Sequence, residues 1–414
     1  MNGVFLLALL AVPSVAWLPD PEESMTAAEI IEYWGYPVEE HDVITEDGYI
    51  LSMLRVPHGR HSNDTNATCH RPPILLVHGL LTDASEFLGN PPETSPGMIL
   101  ADAGFDVFLL NVRGTTYSQR HVNLTKDDPE FWKFSVDDYG KYDAAAAVDL
   151  ILKVTGARDM YYIGHSQGCD VGFILLVERP EYNRKVRAIF QLAPAGTIRY
   201  SKGLFKWAVD RKTPFKILLN LMGPHEFGLR TPSLLGAVAR FLCPPRPVGT
   251  GERAQDANAL FQLCYDSIQF ANGPSTSSFN WSRMPIYLSN VFASTSTWSI
   301  MQVLQTTDHS HPSHFDGGPS ENLRRYGSVH PPQYNYSIID TDVYLFWSRN
   351  DWVNVPREIE TWLLPRMRPG VIKTTFEIPE YNHMDFAFAT DVSDRVFSKI
   401  IKIVRKYEPE SCIE

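Results

Sequence analysis

The 414-residue chain holds only five cysteines, an odd count at low density, so disulfides can decorate its fold but cannot be its framework. It is also short of positive charge: 37 Lys and Arg face 48 Asp and Glu, a formal net charge of −11. That deficit argues against nucleic acid as a partner, because neutralising phosphates needs a basic surface. No apolar run approaches the roughly 18 residues of a membrane-spanning helix, so no transmembrane anchor is expected. Internal repeats and low-complexity segments are absent as well. His309, His311 and His314 cluster as His-x-His-x-x-His, but Pro312 breaks the run and no Cys or Glu completes a familiar spacing, so no metal is expected.

What is present suits a globular protein of one large domain with an insertion, or of two ordinary domains; 44 % hydrophobic residues are enough for a substantial core. The apolar run at 4–12 is too short to span a bilayer, and Ser14, Val15 and Ala16 follow it with the small residues that signal peptidase needs. Residues 1–16 are therefore read as a secretory signal, and the mature chain as extracellular or lysosomal. Five sequons, at Asn63, Asn66, Asn123, Asn280 and Asn335, fit that route and are candidates for N-glycosylation. Cys243 and Cys264 flank a polar loop containing Pro and Gly and are the expected disulfide. Cys169 suits a buried thiol, and the pairing of Cys69, Cys169 and Cys412 is open.

Along the chain, Thr26-Ala27-Ala28-Glu29 has the form of a capping box that opens a short helix ended by Gly35. Asp47-Gly48 then joins two strands in a hairpin. From there, continuously apolar runs at 74–77, 107–110, 161–163 and 188–192 alternate with helical stretches at 96–103, 137–154 and 169–178. Runs apolar on both faces are what buried parallel strands need. Two more strands, 343–347 and 374–378, follow only after a long interval of mixed basic, apolar and proline-containing sequence. The interval 200–311 is read as a mostly helical inserted cap, with 17–199 and 312–414 forming the core. An apolar cap face toward an oily substrate and ordinary helix packing explain its composition about equally well.

Gly164-His165-Ser166-Gln167-Gly168 sits directly after one of these runs and has the Gly-x-Ser-x-Gly form of a nucleophile elbow, in which a strand turns sharply into a helix with serine at the apex. A serine hydroxyl is a poor nucleophile and needs a histidine to take its proton and a carboxylate to orient that histidine. On an α/β-hydrolase sheet, acid and base follow the serine, each beyond a later strand. Asp351 and His383 meet that demand, and Ser166, Asp351 and His383 form the expected triad. Asp385 is the rival acid, better suited to a local hydrogen bond or a helix start. The oxyanion needs two backbone N–H donors: Gln167 after the nucleophile, and Leu80 in His78-Gly79-Leu80-Leu81 after the third strand. Arg113 either binds substrate or, as is favoured, ties the sheet edge to Asp137 or Asp138.

With these residues in place, the chain resembles the acid lipase family of gastric and lysosomal acid lipases over nearly all of its mature length. The resemblance is carried by Tyr33-Trp34-Gly35-Tyr36-Pro37, by Thr45-Glu46-Asp47-Gly48-Tyr49-Ile50-Leu51, and by the site motifs around Leu80, Ser166 and His383. It departs from that pattern at Val112, Thr115, Cys169 and the stretch 309–314. The resemblance implies an α/β-hydrolase fold, a mobile cap, tolerance of acid and hydrolysis of lipid carboxylic esters, triacylglycerols or cholesteryl esters, at an oil–water or membrane interface. No cofactor and a monomeric state are expected. Two other readings stand beside it: a soluble carboxylesterase acting on small esters, and a catalytically silent lipid-binding protein on the same scaffold.

Overall fold

Short apolar runs alternating with helices form a nine-stranded sheet in a computed structural model, which describes residues 19–61, 69–194, 196–228, 241, 243, 252–274, 278–290, 293–308 and 313–413, with 252–258 as backbone alone. The expected signal 1–16, Asn63, Asn66, His309 and His311 lie outside the described residues. In chain order the strands are β1 (Glu39–Ile44), β2 (Tyr49–Val56), β3 (Pro73–Val77), β4 (Asp106–Leu110), β5 (Arg120–His121), β6 (Met160–His165) and β7 (Val186–Leu192). After these come β8 (Glu226–Phe227) and β9 (Thr295–Ser296), a small antiparallel pair of its own, and then β10 (Asp342–Trp347) and β11 (Ile372–Glu377). The main sheet runs β1-β2-β4-β3-β6-β7-β10-β11, with β5 on β2. Pairing is antiparallel for β1, β2 and β4 and parallel from β4 to β11.

Every residue of β3, β4 and β6 is buried, which is why these runs are apolar at consecutive positions. Leu75 and Val77 enter the hydrophobic cluster on one face of the sheet, Ile74 and Leu76 the cluster on the other, as the two-residue period of a strand dictates. Thr26 and Glu29 close a reciprocal capping box on the helix Ala27–Tyr33. The stretch expected as one helix over 137–154 is broken in pitch: a turn at Val136–Asp138, a π-helical segment Tyr139–Ala144 and the α-helix Ala145–Thr155.

That wider turn bears on Arg113, whose partner the sequence misplaced. Arg113 donates from Nε and its backbone N–H to Asp143, and from both terminal nitrogens to Asp47, with bonds of 2.6–2.9 Å. It does not pair with Asp137 or Asp138, which point elsewhere: Asp137 receives Tyr326, Tyr334, Gln302 and the Phe315 N–H, and Asp138 takes the Ser135 N–H and Arg325. Asp143 lies in the π-helical segment, whose altered pitch changes the direction that each position faces. Arg113 is fully buried and bound on its carboxylates, so its role is structural.

Between β7 and β10 the described chain is mostly helical: Gly203–Asp210, Lys212–Met222, Glu252–Asn272, Met284–Asn290, Thr297–Gln305 and Pro319–Tyr326. Cys243 is joined to Cys264 in this interval, and Cys69 to Cys412 across the whole chain. Cys169 remains a buried thiol directed at the carbonyls of Gly164 and Leu192. Of the described sequons, Asn123 and Asn335 are exposed, whereas Asn280 is half-buried and donates to the buried Asn90.

Candidate active site

Where β6 ends, the helix Gln167–Glu178 begins after a single intervening residue, Ser166, held at φ 52 and ψ −118. A non-glycine residue keeps such a conformation only where its surroundings impose it, at a cost of about 1–3 kcal/mol. The surroundings here are two glycines. A Cβ on Gly164 would stand 2.5 Å from the Gly168 backbone, and one on Gly168 would stand 2.1 Å from the Val77 carbonyl oxygen. Strand and helix can cross at this distance only with both side chains missing.

The apex presents Ser166 Oγ 2.8 Å from His383 Nε2, and His383 Nδ1 lies 2.8 Å from Asp351 Oδ2. The other Asp351 oxygen accepts the backbone N–H groups of Val353 and Asn354, both at 2.8 Å, so the carboxylate cannot rotate away. Asp351 follows β10 and His383 follows β11. A carboxylate facing Nδ1 requires a proton there, which leaves Nε2 as acceptor for the serine hydroxyl. Asp385 is directed elsewhere: it accepts the Asn382 N–H at 2.8 Å and opens the helix Asp385–Phe388.

Leu80 and Gln167 line a recess together with Ser166, and the backbone N–H of neither pairs with any atom among the described residues. Gly79, by contrast, donates its N–H to Glu86 at 2.7 Å, which anchors the turn that presents Leu80.

Glu86 is a residue that sequence reasoning missed. It is buried and contacts His165 Nδ1, while His165 Nε2 lies 3.0 Å from the His383 carbonyl oxygen. Both ring nitrogens of His165 therefore face acceptors. Burial alone would favour neutral histidine, but the charge and hydrogen bond of Glu86 outweigh it and raise the His165 pKa. Burial likewise opposes the Glu86 carboxylate, and His165 together with the Gly79 N–H overcomes it, so the pKa is lowered. The result is a buried ion pair linking the Leu80 turn to the backbone of His383. A histidine inside the elbow was a visible signal; nothing local marked Glu86.

Two cavities meet at Ser166. One, of about 280 Å³, is lined mainly by apolar side chains, including Leu204, Phe205, Ile268, Met284 and Leu288. The other is small and more polar, and continues past Gln167 and Asp170. Farther off, His314 pairs with Asp137 at 3.4 Å and Glu178 at 3.1 Å. It is thus engaged in ion pairs between the segment 313–334 and the core.

Residues 27–91 match the family model for a partial α/β-hydrolase lipase region, and 72–216 that for the α/β hydrolase fold. Gastric triacylglycerol lipase of Bos taurus is 36% identical over 389 residues, 93% of this chain and 92% of its own. The human lysosomal acid lipase/cholesteryl ester hydrolase is 34% identical over 390 residues, 94% of this chain and 93% of its own. A solved structure from Sulfolobus solfataricus shares the fold at 12% identity and a TM-score of 0.52, covering 90% of this chain and 99% of that one. With its strand order, its elbow and relatives matched over more than nine-tenths of their length, the chain belongs to the α/β-hydrolase lipase family that includes the gastric and lysosomal acid lipases.

Proposed function

We propose that this protein is a serine lipase that hydrolyses carboxylic esters of neutral lipids, triacylglycerols or cholesteryl esters, through an acyl-enzyme. The observation that carries the reading is the hydrogen-bonded chain Ser166–His383–Asp351 opening on an apolar cavity of about 280 Å³. Ser166 Oγ attacks the ester carbonyl while His383 Nε2 takes its proton, and Asp351 stabilises the imidazolium that forms. The carbonyl oxygen becomes an oxyanion received by the N–H groups of Leu80 and Gln167. Collapse expels the alcohol, protonated by His383, and leaves the acyl group on Ser166. Water then enters, gives its proton to His383 and releases the acid by the same route reversed.

In this reading 200–311 is the cap over the site. Its helices Gly203–Asp210 and Lys212–Met222 expose Leu204, Trp207, Ile217, Leu218 and Leu221, the last at 81%. Apolar side chains grouped in this way suit an oil–water or membrane interface. Among the described residues no helix is long and apolar enough to cross a membrane. Disulfides and the relatives' gastric and lysosomal names favour the exterior or the lysosome as the place of work.

Labelling by a fluorophosphonate tests the reading. Folded wild-type protein is expected to carry the adduct on Ser166 and to cleave emulsified triacylglycerol faster than a dissolved short ester. Ser166→Ala is expected to lose both adduct and turnover while melting within a few degrees of wild type. Absence of the adduct in wild-type protein would remove the enzyme claim, and a preference for the dissolved ester would favour a soluble carboxylesterase.

A further inference from the structure

Two stretches of the insertion between β7 and β10 meet at the loop that carries Asp351, and one of them reaches His383 as well. Trp352, next to Asp351, has both backbone polar groups taken up there: its N–H donates to the Asn272 carbonyl at 3.2 Å, and its carbonyl accepts the Lys202 N–H at 2.7 Å. The Asn272 carbonyl also accepts the backbone N–H of His383, again at 3.2 Å. The last carbonyls of a helix have no partner within it, and Asn272 is the last residue of the helix Glu252–Asn272. Its oxygen has two lone pairs, and it serves two residues of the site.

The approach is close. A Cβ on Gly273, at φ 106, would stand 1.9 Å from the Asn350 carbonyl oxygen, and one on Gly203, at φ 53, would stand 1.9 Å from that of Phe270. Both would also meet the Trp352 indole, at 3.1 and 3.0 Å. Only glycine combines that backbone angle with that clearance. Asn382 adds a bond from its side-chain amide to the Gly273 carbonyl at 3.4 Å. His383 is thus held by both backbone groups, its N–H on Asn272 and its carbonyl facing His165 Nε2 at 3.0 Å. Asp351 and His383 belong to separate turns, after β10 and β11, and the Asn272 oxygen is bonded to both turns.

We propose that Asn272 is a positioning residue of the triad: through its backbone carbonyl, the end of an inserted helix sets the placement of the Asp351 loop and of His383 relative to each other. Gly273 and Gly203 admit the approach, and Trp352 is the residue against which both close. The inference rests on the hydrolase reading above and extends it, because it makes the insertion a part of the apparatus that orients the imidazole and not only a cover over the site. The acid–base and base–nucleophile bonds are each 2.8 Å, and a misplacement of about 1 Å at such a bond costs about 100-fold in rate. An alanine at 273 must displace the junction by about that much, since its Cβ would otherwise stand 1.9 Å from a backbone oxygen, where real contacts exceed 3.0 Å.

Gly273→Ala is tested with a fluorophosphonate and with p-nitrophenyl butyrate, a dissolved ester whose cleavage needs no interface. The labelled fraction counts folded sites, and the labelling rate reads their geometry. The variant is expected to label to completion, but with its labelling rate constant and kcat each lowered by about 100-fold and KM within about threefold of wild type. Gly327→Ala supplies the control: Gly327 also has positive φ, at 68, but ends the helix Pro319–Tyr326 with nothing within 4 Å of the added Cβ. It is expected to lose stability and keep kcat within about twofold. Labelling of Gly273→Ala at the wild-type rate, or an equal loss of kcat in both variants, overturns the positioning role. Hydrogen exchange on wild-type protein needs no variant to fold. There the Trp352 and His383 amides are expected to exchange at least about 100-fold more slowly than in an unstructured peptide, and exchange at the unstructured rate overturns the role as well. Wild-type protein that takes up no fluorophosphonate would instead overturn the hydrolase reading, while the two amides would still report the bonds.

Discussion

Replacing Glu86 by Gln removes one charge from the buried pair with His165 and leaves the shape intact. Glu86 accepts from Gly79 at 2.7 Å and Thr82 at 2.9 Å through one oxygen and contacts His165 through the other. A glutamine can keep its oxygen on Gly79 and Thr82 and turn its amide toward Nδ1, provided that His165 gives up a proton and keeps only the one directed at the His383 carbonyl. Near pH 7 that exchange substitutes a neutral hydrogen bond for a charge-assisted one and costs about 1 kcal/mol. At lower pH the cost grows. In the unfolded chain the histidine titrates near its ordinary value of 6.5, so holding it neutral in the folded variant costs about 1.4 kcal/mol for each pH unit below that. The wild-type pair behaves oppositely. The raised His165 pKa contributes stability in full below about 6.5 and loses it as pH rises through the folded value, while the lowered Glu86 pKa contributes above about 4.5 and loses it as pH falls. Glu86→Gln is therefore expected to destabilise by about 1 kcal/mol at pH 7 and about 3 kcal/mol at pH 5, read from urea unfolding midpoints at the two pH values. An equal loss of about 3–5 kcal/mol at both would mean that His165 stays charged and unpaired in the variant, and would refute this account of the pair.

Asp351→Asn preserves the packing around the Val353 and Asn354 N–H groups but no longer requires a proton on His383 Nδ1; kcat for an emulsified ester is expected to fall by about 10⁴ with little change in melting temperature. A fall under tenfold would exclude Asp351 as the orienting acid. His314 is expected to hold the 313–334 segment to the core most firmly in mild acid. Burial opposes its charge, but Asp137 and Glu178 prevail and push it up to about 9, so its contribution is full below about 6.5 and lost as pH rises through 9. Asp137 is lowered despite burial, chiefly by His314, so its contribution is lost only as pH falls below the ordinary aspartate range. His314→Asn should accordingly cost roughly 3 kcal/mol at pH 5 and little at pH 10, and a penalty unchanged between them would contradict the assignment.

Much of this protein is legible in its sequence because the governing constraints are local. Strands buried on both faces must be apolar at consecutive positions, so β3, β4, β6 and β7 stand out. A strand crossing a helix at contact distance needs glycine at 164 and 168, which leaves Ser166 alone at the apex. Asp351 and His383 were reached by their order after later strands, a rule of chain topology. Partners across the fold were not legible. Arg113 could be seen to need carboxylates, yet Asp143 and Asp47 supply them because a π-helical segment changes which way its residues face. Cys69 meets Cys412 across 343 positions, a closure that no local pattern encodes. The same holds for Glu86 beneath His165, and for the apolar cavity that opens on Ser166. Sequence by itself determined the strands, the elbow and the residue types with which acyl chemistry could be done. The distances between them and the charge of a buried histidine were decided only by tertiary structure, because desolvation and Coulomb interaction depend on what surrounds a group in space.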